Sequence, residues 1–465
     1  MLSKPISPIS TPALVAVALV LTLTGLGILS PAVHAAPSTA PEVATSEATA
    51  TPASTSDASL DHLWTQWRGP FRDGRVAGEP WPDDFQCFEA LWRRDLGPGY
   101  PGPIVAEDRV FVAETLDKEV EVVRALDRAT GKELWNMEWT GAWEVPFFAR
   151  ANGSWIRSTP AYDGETLYVG GIREVLVALD GETGKMRWRR DFPKEYGTEV
   201  PPFGFASSPM VVGEHLYIQA ANSIVKLDKH TGKEIWRSLA NEADIMSAGA
   251  FSSPTMETLA GREQLLVQTR LELYGLDPDD GAVLWSQPVP HFRGMNILTP
   301  TVYEDTVLTS SYRNGTYLYR IGDGDGGMQS TQAWTHKATG YMSSPVIIED
   351  HAYIHLGNGR LTCLDLKTGS ERWTSKPFGK YWSKAVQDDR ILALDERGEL
   401  HLIQADPKAM EVLDSREISD EPTWGHLAIS GEHIFVRELG AIAAYRWCDG
   451  AAAPKAAESA PAIAD

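Results

Sequence analysis

The chain has 465 residues, with 42 Lys and Arg against 63 Asp and Glu and a formal net charge of −21. That balance excludes nucleic-acid binding as the expected role, because such binding needs a basic surface to displace counterions from phosphates. Hydrophobic residues at 43% and charged residues at 23% exclude global disorder. Trp (16) outnumbers Tyr (14) and Phe (13), and 40 Gly with 30 Pro favour many short strands and turns over long helices.

In chain order, Lys4 precedes an apolar run from Leu14 to Leu29, and Pro31-Ala32-Val33-His34-Ala35-Ala36 supplies small residues of the kind a signal peptidase reads. Residues 1–35 are therefore expected to be a signal peptide cleaved after Ala35, giving a periplasmic or secreted chain without a membrane span. An uncleaved anchor is the alternative, but the run is marginal for a bilayer and no basic stop-transfer cluster follows. The run ends without the cysteine that lipid attachment requires. Residues 36–59, almost entirely Ala, Pro, Ser and Thr, predict a flexible spacer. Residues 60–90 are expected to pack as a lead-in on the following domain, and residues 451–465 to form a disordered tail.

Between these ends lies an internal repeat. Ala125-Leu126-Asp127 to Trp135, Ala178-Leu179-Asp180 to Trp188, Lys226-Leu227-Asp228 to Trp236, Gly275-Leu276-Asp277 to Trp285 and Cys363-Leu364-Asp365 to Trp373 superimpose without a gap. In each, Gly falls four residues after Asp and Trp eight after it. This spacing predicts a hairpin: a strand ends at Asp, whose carboxylate accepts turn N–H bonds, and Gly supplies the left-handed conformation before the strand that carries Trp. Upstream of the units stand Ser158-Thr159-Pro160, Ser207-Ser208-Pro209, Ser252-Ser253-Pro254, Leu298-Thr299-Pro300 and Ser343-Ser344-Pro345, read as entries to inner strands. Successive Trp positions are 39 to 53 residues apart, the length of a four-stranded propeller blade.

Outer strands at Trp92, Trp135, Trp188, Trp236, Trp285, Trp334 and Trp373, with a degenerate one near Leu413, make eight. The expectation is all-β: an eight-bladed β-propeller of four-stranded antiparallel blades over residues 91–450. Residues 90–95 are expected to complete the blade that holds residues 426–447, closing the ring by pairing both chain ends. The repeated Trp residues are expected to fill the gaps between blades.

The repeat with its Ser-Ser-Pro inner strand resembles the pyrroloquinoline quinone (PQQ)-like repeat family over residues 91–448. Trp64-Thr65-Gln66-Trp67-Arg68-Gly69-Pro70 with Arg72-Asp73-Gly74 is similar to the lead-in of exported bacterial members. The resemblance implies either a quinoprotein dehydrogenase or a non-catalytic propeller like that of the outer-membrane-barrel assembly machinery. The dehydrogenases carry adjacent cysteines or a large cap, with calcium held by Glu, Asn and Asp beside a catalytic Asp. Cys87, Cys363 and Cys448 are scattered, and the blade connections are too short for a cap. No catalytic residue, metal ligand or cofactor is therefore assigned, PQQ with calcium being the alternative. HExxH, GxSxG and phosphate-loop patterns are absent. Gly322-Asp323-Gly324-Asp325-Gly326-Gly327 reads as a long solvated turn in the fifth blade.

Residues entering the inner strands are expected to ring the channel mouth: Tyr100, Trp155, Arg157, Phe203, Phe205, Arg293, Asn296, Tyr341, Lys380, Tyr381, Trp382, Lys384, Trp424 and His426. Such a set suits a planar or anionic ligand, through stacking and charge-assisted hydrogen bonds. The competing reading has these residues plugging the channel or pairing with carboxylates such as Glu199. Arg157, Arg293, Lys380 and Lys384 are expected to form one positive patch. The favoured function is an exported, non-catalytic scaffold that binds a protein partner or small ligand on one propeller face. A PQQ-dependent alcohol or sugar dehydrogenase, with Trp424 or Trp382 stacked on the quinone, and a carbohydrate or peptide sensor are the rivals. Cys87 and Cys448 are expected to form a disulfide across the ring closure, leaving Cys363 a free buried thiol.

Overall fold

The computed structural model describes residues 60, 62–150, 153–241, 244 and 247–447. The signal-peptide, spacer and tail expectations lie outside these residues, as does Cys448. Eight four-stranded antiparallel sheets form the blades of a ring. The first blade runs outward through Ile104–Val105, Arg109–Leu116, Val120–Asp127 and Glu133–Thr140. Inner strands of the next six are Ala161–Tyr162, Met210–Val212, Thr255–Leu259, Thr301–Tyr303, Val346–Ile348 and Trp382–Gln387. The degenerate seventh outer strand is Glu411–Glu417, which contains Leu413.

The eighth blade takes Ala428–Ser430, His433–Arg437 and Ala441–Trp447 from one end of the chain and Phe88–Asp95 from the other. The closing strand starts two residues earlier than the repeat predicts. Its register runs from Phe88 opposite Trp447 to Asp95 opposite Ala441, with an irregularity between Ala90 and Trp92. Among the described residues no helix is long and apolar enough to cross a membrane.

Second and third strands are buried on both faces because each blade is sandwiched by its neighbours. Phe111 and Val123 of the first blade pack with Leu167 and Val177 of the second, and Tyr168 and Leu176 of the second with Leu216 and Val225 of the third. The Asp-to-Gly turn links these layers. Asp127 Oδ1 accepts from Thr130 N at 2.8 Å and Thr130 Oγ1 at 2.6 Å, and the same pair of bonds recurs at Asp180, Asp228 and Asp365. The tightened turn presents a carbonyl and a glycine to the indole of the preceding blade. Trp135 Nε1 donates to Gly181 O at 3.1 Å, Trp188 to Lys229 O at 2.9 Å and Trp334 to Leu366 O at 2.7 Å. Trp92 does the same across the ring closure, donating to Arg128 O at 2.9 Å. Gly184 has φ 70°, and a Cβ there would lie 2.5 Å from the Trp135 ring, so the repeat couples Gly to Trp through steric fit as well as backbone conformation.

Trp285 departs from this pattern and donates to Gln264 Oε1 of its own blade at 2.6 Å. The fifth blade offers it no Asp-to-Gly turn. There Gly315–Gly324 and Gly327–His336 form an extended hairpin with a two-residue turn at Asp325 and Gly326, so the glycine run is mostly strand instead of a long turn.

The Ser-Ser-Pro signature has a task at the channel wall. Gly102 N donates to Thr159 Oγ1, Thr159 N to Ser208 Oγ, Ser208 N to Ser253 Oγ, Ser253 N to Thr299 Oγ1 and Thr299 N to Ser344 Oγ, at 2.9 to 3.2 Å. Trp382 N to Ser343 Oγ and Leu427 N to Ser383 Oγ continue this belt to the eighth blade. Each bond satisfies a buried N–H that the short inner strand leaves without a ladder partner.

Gly184→Ala is expected to destabilise by about 2–4 kcal/mol, since it combines a left-handed backbone with a clash. Gly213→Ala, at φ 54° with nothing within 4 Å, is expected to cost only about 1 kcal/mol. Equal losses in paired denaturant titrations would contradict the indole-on-glycine joint. Cys363 is a buried free thiol, whereas Cys87 is disulfide-bonded, one residue before the Phe88–Trp447 pair. Non-reducing peptide mapping is expected to recover the Cys87 peptide joined to the Cys448 peptide; Cys87 joined to Cys363 would overturn that pairing.

Candidate functional site

Residues 64–76 cross the channel. Trp64 pairs with Val105, Thr65 O accepts from Tyr162 N at 2.8 Å, and Val211 N donates to Gln66 Oε1 at 3.0 Å. Beyond them the chain turns sharply, with positive φ at Arg68, Gly69, Arg72 and Gly74. Arg68 Nη2 donates to Pro345 O at 2.9 Å on one side of the ring, and Arg72 Nη1 to Pro209 O at 2.7 Å on another. Gly74 and Val76 exchange 2.8 Å hydrogen bonds with Val386 of the seventh blade. The lead-in then carries Trp81 and Phe85 onto Trp447, at ring separations of 5.8 and 6.1 Å, and Phe88, the first residue of the closing strand, joins them at 5.5 Å.

This plug separates two cavities. One, of about 180 Å³, is lined by the ends of inner strands with Arg72, Asp73, Arg75 and Glu257. The other, of about 230 Å³, opens at the inner-strand entries and has Trp67 and Arg68 among its walls. Nine of the fourteen expected mouth residues line it: Tyr100, Arg157, Phe203, Tyr341, Tyr381, Trp382, Lys384, Trp424 and His426.

The other five do not. Phe205 is 2% exposed in the core between the second and third blades. Asn296 is buried and donates to Val289 O at 3.4 Å. Trp155 is half-buried behind Arg157, whose Nε reaches the Trp155 carbonyl at 3.3 Å. Arg293 and Lys380 are exposed and lie over the Phe292 and Tyr381 rings, so only two of the four expected cations belong to the cavity. Arg293 sits in a turn at φ 53° and Lys380 in a bend, so neither is aimed by the alternation of an extended strand. Arg68 was not anticipated; cationic residues between glycines in the lead-in were the available signal.

Aromatic rings form two arcs at the rim. Tyr100 stacks on Trp424 at 5.1 Å, Trp424 meets Tyr381 at 4.5 Å, and Tyr381 meets Tyr341 at 5.7 Å. Opposite ring types continue through Phe147, Phe148, Phe203 and Phe251, with separations of 5.6, 6.0 and 5.4 Å. Phe147 is 79% exposed.

The cavity wall is cationic. Arg68, Arg157 and Lys384 line it, and among the described residues no Asp or Glu does. Burial pulls the Arg68 and Arg157 guanidinium groups down to about 10, which leaves both charged at neutral pH. Lys384 is 2% exposed and its Nζ has no hydrogen-bond partner. Burial, followed by the Arg68 charge, pulls its ammonium down to about 7. The same two causes, burial first, lower His426 to about 3, so its imidazole is neutral. A buried, unpaired ammonium beside two guanidinium groups offers an anion three donors in a medium of low dielectric.

Lys384→Met is expected to raise stability at pH 6 by about 2–5 kcal/mol by removing that unpaired charge. Below about pH 7 the lysine is protonated in both folded and unfolded chains, and the folded chain bears the full cost. Between about 7 and the ordinary value of 10.5 the unfolded chain holds a proton that the folded chain has lost, so stability rises with pH. The wild-type deficit should therefore shrink over that window in denaturant titrations. A difference between the two proteins that is independent of pH would contradict this assignment.

The family model described as outer membrane protein assembly factor BamB matches residues 119–375, more than half of the chain. A curated relative with that name from Shewanella oneidensis is 24% identical over 268 residues, covering 57% of this chain and 60% of the relative. The serine/threonine-protein kinase AfsK of Streptomyces griseus is 29% identical over 161 residues, covering 33% of this chain and 18% of the kinase, so the chain spans less than two thirds of either relative. In solved structures, BamB from Moraxella catarrhalis aligns with TM-score 0.57 at 15% identity, over 77% of this chain and 99% of that one. A europium-containing methanol dehydrogenase aligns with TM-score 0.62 at 11% identity, over 84% and 99%. These structural likenesses show the shared fold, and the matched repeat shows the family: the protein belongs to the PQQ-like repeat propellers described as outer membrane protein assembly factor BamB.

Proposed function

We propose that the protein is exported and acts as a binding scaffold in the assembly of outer-membrane proteins, with the channel-mouth face as its contact surface. The family match and the curated relative's name support the assembly role. The observation that carries the choice of face is the cation-lined mouth in a chain of net charge −21, rimmed by the exposed Phe147 and Phe148. Exposed aromatic anchors beside desolvated cations are the composition of a protein-binding surface.

A small planar anion is the second ligand this mouth suits, held by Arg157 and Lys384 between the aromatic walls. The quinone-dehydrogenase alternative fits less well. The cations match carboxylates of PQQ, but among the described residues the cavity wall contains no Asp, Glu or Asn to hold calcium and no carboxylate to accept a substrate proton.

A photo-crosslinking amino acid placed at Phe147 in the native cell envelope is expected to capture a component of the outer-membrane assembly machinery. Phe148→Ser combined with Arg157→Ala should reduce that capture at least tenfold while the ring remains folded. PQQ-dependent alcohol oxidation by the purified protein, or undiminished capture by the double variant, would overturn the reading.

A further inference from the structure

The hairpin of the seventh blade brings three metal-ligating side chains together. Asp395 ends the strand Arg390–Asp395, while Glu399 and His401 lie two residues apart on Glu399–Gln404 and so point to the same face. Ligand atoms of all three lie within 4.8 Å of one another. The turn fixes the first of them: Asp395 Oδ1 accepts from Arg397 N at 2.9 Å and Glu399 N at 3.1 Å.

His401 supplies the independent observation. It is 1% exposed, held between Trp382 at 5.5 Å and Phe378 at 5.2 Å, and its Nδ1 lies 2.8 Å from Ser415 Oγ. Ser415 Oγ can pair with Nδ1 in either tautomer of the ring, so Nε2 is the nitrogen left to face the carboxylates. That buried atom has no hydrogen-bond partner, and it faces Glu399 Oε2 at 3.8 Å and Asp395 Oδ2 at 4.0 Å. A cation seated between that nitrogen and the two carboxylates would be bound by all three. A fixed ring nitrogen, its other nitrogen engaged by a neighbouring oxygen, is how proteins orient imidazole toward a metal.

We propose that Asp395, Glu399 and His401 form a binding site for a divalent transition-metal ion, zinc foremost, with water as the fourth ligand. One imidazole and two carboxylates suit zinc, whose bonds to nitrogen and oxygen are about 2.0–2.2 Å and set tetrahedral donor separations near 3.4 Å. Closing the 3.8 and 4.0 Å gaps to His401 takes a shift of about half an ångström, and the Asp395–Glu399 gap, within 4.8 Å, up to about 1.4 Å. Glu399 is free to make it, its side chain being 41% exposed. One competitor occupies the site: Arg397 Nη2 bonds Asp395 Oδ2 at 2.9 Å from a side chain that is 60% exposed. Metal binding displaces that guanidinium into solvent. The ion would also brace the channel mouth, because His401 stacks on Trp382, a wall residue of the cation-lined cavity.

The test is calorimetric titration of the untagged, EDTA-treated full chain with zinc chloride, together with the visible absorption of the cobalt-substituted protein. One ion per chain is expected, with cobalt bands of a low-symmetry nitrogen and oxygen site. His401→Asn, which keeps a donor toward Ser415 but removes Nε2, should weaken binding at least 100-fold. Glu399→Gln should weaken it about tenfold, and Arg397→Ala should tighten it several-fold by removing the competitor. The last two side chains are partly exposed, so they decide the matter if His401→Asn fails to fold. Absence of zinc binding, or binding that none of the three variants changes, would overturn the site; the latter result means an adventitious ion only, for instance at the exposed His62–Glu107 or His230–Glu214 pairs.

Discussion

The structure depends on the joint between neighbouring blades. A blade buries its second and third strands only if another blade covers each face, so no blade is stable in isolation and the ring must close. The joint has three parts at increasing distance from the axis: hydroxyl bonds at the inner-strand entries, apolar layers between the middle strands, and the indole seated on the turn glycine. Trp92 makes that last contact across the break between the chain ends, with its Nε1 2.9 Å from Arg128 O. Ring closure thus uses the same physical joint as every regular repeat, supplied by a strand from the opposite end of the chain.

Function-bearing chemistry sits where the joint leaves space. Inner strands only two to six residues long in the first, second and seventh blades cannot fill the axis, and the lead-in enters it with Trp67, Arg68 and Arg72. Its two faces differ in charge: in one cavity Arg68, Arg72 and Arg75 meet Asp73 and Glu257, while among the described residues the mouth has cations without carboxylates. Leaving the Lys384 ammonium buried and unpaired costs stability, and that cost at a cavity wall is what supports the proposed contact face.

How far the sequence revealed this depended on periodicity. The Asp, Gly and Trp spacing made the blade count legible, and the missing outer strand after Trp447 identified residues near Trp92 as the closing piece. Mouth residues were legible only in part. Lys384 and Trp424 could be placed by counting to the strand entry, whereas Phe205 packs into the blade core ahead of its strand and Arg293 sits in a turn at φ 53°, where strand counting does not place a side chain. Arg68 lies outside the repeat, so no register could place it in the channel. Asp395, Glu399 and His401 form no recognised motif in the chain; a hairpin turn and the Ser415 hydroxyl bring them into one arrangement.

Closure through the eighth blade makes the ring one cooperative unit. Native-state hydrogen exchange of the full chain at increasing denaturant tests it most directly. Buried strand amides of all eight blades, including those of Phe88–Asp95, are expected to merge into one opening transition with a common free energy. Release of the closing strand and the eighth blade well before the other seven would contradict it.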